Sequence, residues 1–149
     1  MKKKLMPILI LVLLEGCTDY KAYDAKRTFS GITIEVTVVH NHPLLAEYKR
    51  YIRINGSSRI DFGQDTGGSP FVNVFETKDV IILQSLYQKI AIINKATKDI
   101  NFEVRPLRDE EISGFIGKFT FDKSQIPRVY TYIPIKVDAS FDPYVLKGG

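Results

Sequence analysis

Cysteine is almost missing from this sequence: Cys17 is the only one among 149 residues, and there is no tryptophan. A disulfide bond within the chain and a thiolate cluster around a metal ion are therefore excluded. The Gly-x-Ser-x-Gly elbow, the phosphate-binding glycine loop and the dinucleotide fingerprint are missing as well. The sequence therefore predicts no cofactor and no catalytic residue, and it favours a protein that is not an enzyme.

A one-sided charge is also missing from most of the chain. The formal net charge is +4, but Lys2, Lys3 and Lys4 lie at the amino terminus, and without the first sixteen residues the charge falls to about +2. The remaining basic residues, such as Lys49, are interspersed with acidic ones such as Glu47 and form no stripe for binding phosphates. No nucleic-acid partner is predicted.

The longest apolar run covers residues 5–14, about ten residues, whereas a membrane-spanning helix needs ~20. It follows the three lysines and is followed by Gly16 and Cys17. These are the proportions of a signal peptide, so we predict that residues 1–16 direct export and are removed.

Leu14-Glu15-Gly16-Cys17 resembles the lipobox of bacterial lipoprotein precursors, with leucine three residues before the cysteine and a small residue directly before it. The resemblance covers the leader only. It implies that Cys17 carries a diacylglycerol group, that the chain is cut before it, and that the new amino terminus is acylated, which anchors the protein to a membrane that it does not span. Many enterobacterial lipoproteins of the inner membrane have Asp where this chain has Thr18. In a Gram-negative host, the resemblance thus implies an outer-membrane protein facing the periplasm.

Glu15 departs from the small or apolar residue that is usual two positions before the cysteine, and a carboxylate is costly to place in a membrane-embedded peptidase. A leader that is cut elsewhere or kept as an uncleaved anchor stays open as an alternative. Residues 18–28 are polar and unpatterned. We therefore predict a lipidated tether over residues 17–28 and a single domain over residues 29–149.

Alternation of apolar and polar residues predicts that the domain is built from strands. Ile32, Ile34, Val36 and Val38 follow the two-residue period of a strand with one face on a core. Asn55-Gly56 predicts a hairpin between strands over residues 48–54 and 57–62. The other predicted strands cover residues 71–75, 80–83, 89–94, 100–104, 115–121 and 129–137.

Helix signals are weak by comparison. Residues 107–113 predict one helical turn, and residues 42–51 are a second helical candidate. Short strands without long crossover helices predict an all-β fold, an antiparallel β-sandwich or barrel of about nine strands.

Two tyrosines are the predicted partner surface. Tyr130 and Tyr132 share one face of a predicted strand and are flanked by Arg128 and Lys136. Rigid aromatic and arginine side chains carry much of the affinity of protein interfaces. The alternative is that both tyrosines are buried in the sandwich.

Histidines are the only candidates for metal binding. His40 and His42 would lie on the same side of a strand end and offer zinc two imidazoles, with Glu35 or Glu47 as further ligands. Pro43 favours the alternative, in which the strand ends and both histidines are exposed in a loop.

Carboxylates are the candidates for hydrolytic chemistry. Asp65-Thr66-Gly67 resembles the catalytic turn of aspartic proteases, but we favour a simple glycine-rich turn over residues 63–69. A glycosidase-like pair assembled from Asp61, Asp65, Glu76 or Asp79 also stays open.

Three functions are compatible with these observations. The first is a lipid-anchored module that binds another protein, as an immunity or inhibitor protein or as an assembly factor of a surface apparatus. The second is a barrel that carries an apolar ligand, which would require a cavity, although the bulky isoleucine, valine and phenylalanine runs favour a filled interior. The third is an envelope hydrolase. The sequence favours them in that order.

Overall fold

The computed structural model describes residues 21–42, 45, 47–66, 70–85 and 88–135, without the side chains of residues 65 and 66. These residues form ten strands and one short helix. The strands are β1 (Ala22–Phe29), β2 (Ile32–His40), β3 (Glu47–Ile54), β4 (Ile60–Thr66), β5 (Val72–Glu76), β6 (Val80–Gln84), β7 (Lys89–Asn94), β8 (Ile100–Val104), β9 (Phe115–Asp122) and β10 (Val129–Pro134), and the helix is α1 (Asp109–Ile112).

The strands form two antiparallel sheets. The first is a meander in the order β1-β2-β3-β4, and the second has the order β10-β9-β5-β6-β7-β8. After β8, at one edge of the second sheet, the chain crosses to the other side, where β9 pairs with β5. The β9–β10 hairpin therefore forms the opposite edge. The predicted all-β antiparallel fold is confirmed, and of the two predicted architectures the described residues form the sandwich.

The alternation in β2 produces the core. Ile32, Ile34, Val36 and Val38 are fully buried, and they pack in one cluster with buried residues of the second sheet such as Leu83. On the other face of the second sheet a smaller cluster forms beneath α1. Its buried members are Phe75, Ile82, Ile90 and Leu107. Parts of β5, β6 and β7 are therefore covered on both faces, which explains their unbroken apolar sequences.

The hairpin at Asn55-Gly56 is confirmed, and both residues have positive φ, 48° and 73°. The Oδ1 atom of Asn55 accepts a hydrogen bond of 2.9 Å from the backbone N–H of Thr33. The second arm starts at Ile60 instead of residue 57, so the connection is longer than predicted. The helical turn predicted over residues 107–113 is confirmed as α1.

Two predictions about local structure are wrong. Residues 22–28 belong to β1 and pair with β2 along their whole length, so they are not part of a tether. Its sequence shows no clear alternation of apolar and polar residues, because β1 buries little besides Ala25 and Phe29. The helical candidate over residues 42–51 is replaced by β3 from Glu47 onwards, where pairing with β2 and β4 decides the conformation. No helix in the described part of the chain is long and apolar enough to cross a membrane.

Candidate functional site

Tyr130 and Tyr132 face the core, so the predicted tyrosine surface is wrong. Tyr130 is only 3% exposed, and its hydroxyl donates a hydrogen bond of 2.8 Å to the carbonyl oxygen of Pro70. Burial raises the pKa of Tyr130 well above its ordinary value, so the hydroxyl stays protonated as a donor. Tyr132 is half-buried and donates to the carbonyl oxygen of Ile116 at 2.8 Å.

The two tyrosines belong to an aromatic seam between the sheets, which we define as Tyr23 and Phe29 of β1 with Phe119, Phe121, Tyr130 and Tyr132 of the β9–β10 hairpin. The ring of Phe121 lies 4.9 Å from that of Tyr23, and the rings of Phe29 and Tyr132 lie 5.0 Å apart, both edge-on. Such pairs contribute beyond the apolar area that they bury. These ring contacts hold β1 against the β9–β10 hairpin, which forms one edge of the second sheet.

The opposite face of the same hairpin carries the candidate site. Tyr130 pairs with Phe121, and both face the core. Their neighbours along the two strands, Thr131 and Thr120, also form a pair and point to the opposite face. A groove of about 510 Å³ opens on this outer face. It is lined by Phe71, Lys118, Thr120, Phe121, Asp122, Lys123, Ser124 and Ile133.

The charge that the groove presents is positive. Asp122 accepts hydrogen bonds from the hydroxyl and backbone N–H of Ser124 at 2.6 and 2.9 Å, and from the amide of Gln125 at 3.0 Å. These bonds lower the pKa of Asp122, so its carboxylate is ionised and occupied by its own loop. Lys118 and Lys123 are exposed, and no ion pair is found for either within the described ranges. The lining of the groove therefore combines the apolar side chains of Phe71, Phe121 and Ile133 with the cations of Lys118 and Lys123, which outnumber the single carboxylate of Asp122.

The two candidate metal ligands hold a loop instead. The Nε2 atom of His40 lies 2.8 Å from the carbonyl oxygen of Leu45, and the Nδ1 atom of His42 accepts a hydrogen bond of 3.1 Å from the N–H of Leu45. His40 also stacks on Tyr48, with ring centroids 5.0 Å apart. Within the described residues no group of three or more possible ligands lies together. Both histidines are half-buried, so the expectation that they are exposed is wrong, and only His42 lies in the loop, because His40 is the last residue of β2.

Two of the candidate carboxylates lie in different sheets and are each engaged by a lysine. Asp61 lies 3.1 Å from the ammonium of Lys49 in the first sheet, and Glu76 lies 2.8 Å from that of Lys95 in the second. Asp79 accepts the backbone N–H of Lys95 through its carbonyl oxygen at 2.9 Å.

The predicted glycine-rich turn over residues 63–69 is wrong at its start, because β4 continues to Thr66 and includes Asp65. Gly63 interrupts this strand with positive φ, 104°, at an irregularity in the register. Gly67 and the side chain of Asp65 lie outside the described residues.

The other predicted site residues are Arg128, Lys136 and Cys17. Arg128 is exposed directly before β10. Lys136 and the lipidation site Cys17 lie outside the described residues.

Sequence reasoning missed the groove, although a signal for it was present. In β9 the polar residues Lys118, Thr120 and Asp122 alternate with Phe119 and Phe121, which separates an outer face from an inner one. A search of family models, curated proteins and solved structures finds no significant match to this chain.

Proposed function

We propose that the mature protein is a lipid-anchored, non-catalytic protein of the cell envelope that binds another protein through the groove on the β9–β10 hairpin. The observation that carries the proposal is the combination of Phe71 and Ile133 with Lys118 and Lys123 in one open groove. Apolar lining residues can hold an apolar side chain of a partner, and lysines beside them favour an acidic partner. The partner would therefore present an acidic segment that contains a large apolar residue.

The position of the groove supports this assignment. Lys118 and Thr120 lie on the sheet face that points away from the core cluster, whereas Phe121 also packs against that cluster, and β10 is the edge strand of its sheet. Five of the eight lining residues lie in the paired strands β9 and β10, namely Lys118, Thr120, Phe121, Asp122 and Ile133. A surface built on paired strands loses little conformational freedom when a partner binds.

Lipid anchoring is supported by the lipobox-like Leu14-Glu15-Gly16-Cys17 and by the start of β1 at Ala22. Only four residues separate Cys17 from the folded domain. The partner would therefore be held close to the membrane, in the place where an immunity protein, an inhibitor or an assembly factor acts.

The alternatives receive less support. A carrier needs an internal cavity, but the described interior is filled by fully buried residues such as Ile34, Val74 and Phe119. A hydrolase needs free carboxylates, whereas Asp61 and Glu76 are each held by a lysine.

The experiment is a pull-down of envelope and secreted proteins with the full-length wild type, two groove variants and one control. Lys118→Glu reverses the charge of a lysine in the lining, and Ile133→Asp places a charge at an apolar position of the lining. Lys78→Glu makes the same charge change at an exposed position in the β5–β6 turn, away from the groove. We expect one stoichiometric partner with wild type and Lys78→Glu, and its loss with both groove variants.

Circular dichroism of all four proteins checks that the variants are folded. A partner that is retained by both groove variants would contradict the assignment of the groove. If no protein is captured, the protein-binding function itself is wrong.

A further inference from the structure

Strands β1, β2, β9 and β10 each have one terminus at the end of the sandwich where the chain enters the domain, and we call this end the anchored end. β1 begins there and β2 ends there, because the N–H of His40 donates to the carbonyl oxygen of Lys21 at 3.0 Å. β9 ends there and β10 begins there, because Phe121 packs against Tyr23 at 4.9 Å and against Tyr48 at 6.0 Å. The β2–β3 and β9–β10 loops therefore project from the same end as the amino terminus.

Large apolar side chains are exposed in both loops. Ile126, in the β9–β10 loop, is 99% exposed, and Val129 at the end of that loop is 43% exposed. Leu45, in the β2–β3 loop, is 52% exposed. These are three of the five large hydrophobic residues that are exposed in the described part of the chain. Apolar side chains gathered at one end mark a contact surface.

The short connection to Cys17 restricts what this surface can face. From Cys17 to Ala22 the chain makes five steps between Cα atoms, which span at most ~17 Å when fully extended. A lipid on Cys17 would place that residue at the membrane boundary, next to headgroups that extend roughly 5 to 8 Å beyond the hydrocarbon core on each side. The anchored end would therefore lie within about 12 Å of the outer edge of the headgroups.

The charges at this end suit a lipid surface. Lys21 and Arg128 are exposed. Of the described carboxylates nearby, Asp122 accepts hydrogen bonds from its own loop, Glu47 is half-buried, and Asp24, two residues into β1, is exposed and accepts a hydrogen bond from Thr37. Exposed apolar side chains can insert between acyl chains, and cations beside them can bind the phosphate groups of the lipids.

We propose that the anchored end is a lipid-contacting surface, in which Ile126 and Leu45 enter the interfacial layer while Lys21 and Arg128 contact lipid phosphates. This inference rests on the lipid anchoring in the proposed function. It goes beyond that function because it fixes the orientation of the domain on the membrane. With both loops on the bilayer, the domain cannot turn freely about its short connection.

The test uses the full-length acylated protein, reconstituted in vesicles of phosphatidylethanolamine and phosphatidylglycerol. Acylation occupies Cys17, the only native cysteine, so a new cysteine can carry a polarity-sensitive fluorophore. Ile126→Cys places the probe at the anchored end. Thr97→Cys places it in the exposed β7–β8 turn, at the opposite end of the second sheet, and serves as the matched control.

We expect a blue-shifted emission at position 126 and quenching by spin-labelled lipid that is several-fold stronger than at position 97. Equal quenching at both positions, or none at position 126 while the protein still floats with the vesicles, would overturn the lipid-contacting surface and leave the anchoring intact. A protein that does not float would overturn both.

Discussion

The hydroxyl of Tyr130 in β10 donates its hydrogen bond to the carbonyl oxygen of Pro70, 60 residues earlier in the chain. Both residues are buried, so neither atom has water as a ready substitute. The bond fixes the start of β10 against the segment that leads into β5. It also holds the end of the β9–β10 hairpin that carries the groove.

Replacing Tyr130 by phenylalanine removes this donor and leaves the Pro70 carbonyl unsatisfied. We expect Tyr130→Phe to lower the free energy of unfolding by about 1–3 kcal/mol, measured by urea denaturation with an unchanged slope. Tyr23→Phe is the matched control, because Tyr23 contacts Phe121 through its ring. Equal stability of Tyr130→Phe and wild type would show that the bond contributes nothing.

Glu111 gives the stability a dependence on pH. Its buried carboxylate accepts two hydrogen bonds from the guanidinium of Arg105, at 2.7 and 2.8 Å, and one from the N–H of Arg108 at 2.7 Å. The bonds from Arg105 lower the pKa of Glu111 most, outweighing burial, which raises it. The pKa is therefore lower in the folded than in the unfolded state. The resulting stabilisation is present above the unfolded pKa and is lost as the pH falls through the folded one.

For the variant Glu111→Gln we expect a loss of about 1–3 kcal/mol in unfolding free energy at pH 7. The difference from wild type shrinks as the pH falls below about 4, where the wild-type carboxyl becomes protonated in the unfolded state. Denaturation curves at a series of pH values measure it. Glu110→Gln, at an exposed neighbouring position, should show little effect, and a loss that is the same at pH 3 and pH 7 would contradict the ion-pair explanation.

Gly117 of β9 lies close to Tyr132 and Ile133 of β10. A Cβ atom at this position would lie 2.5 Å from both the hydroxyl oxygen of Tyr132 and the carbonyl oxygen of Ile133. We expect Gly117→Ala to cost about 1–3 kcal/mol because backbone or ring must shift. Gly56→Ala, where the Cβ meets nothing within 4 Å and only the positive φ is strained, should cost less in the same thermal or urea measurement. The reverse order would contradict a close approach at Gly117.

Cys17→Ala tests the anchor. We expect metabolic labelling with fatty acid to fall to background and the protein to leave the membrane fraction, because no other cysteine can accept the lipid. Thr18→Ser keeps the cysteine and should keep both properties. Labelling and membrane recovery that persist in Cys17→Ala would contradict lipidation.

Alternation along the sequence predicted strands well where one face is clearly apolar, as in β2. It failed for β1, an edge strand with few buried side chains. In β10 it separated two faces correctly but could not say which one is buried, because Tyr130 and Tyr132 compete with Ile133. Only the pairing with Phe119 and Phe121 decides this, and such pairing is not visible in a single strand.

Arg50 shows a second limit of alternation. It takes the inner position in β3 two residues before Ile52 and is only 1% exposed. Tertiary packing therefore places a cation where the period calls for an apolar residue.

The aromatic seam has a mechanical consequence. The amino terminus enters the domain at β1, and the groove lies on the hairpin that the seam joins to β1. A pulling force between the amino terminus and a partner in the groove would pass from β10 to β1 through ring contacts. Tyr23 and Phe29 would therefore carry part of the load between a membrane anchor and a bound partner.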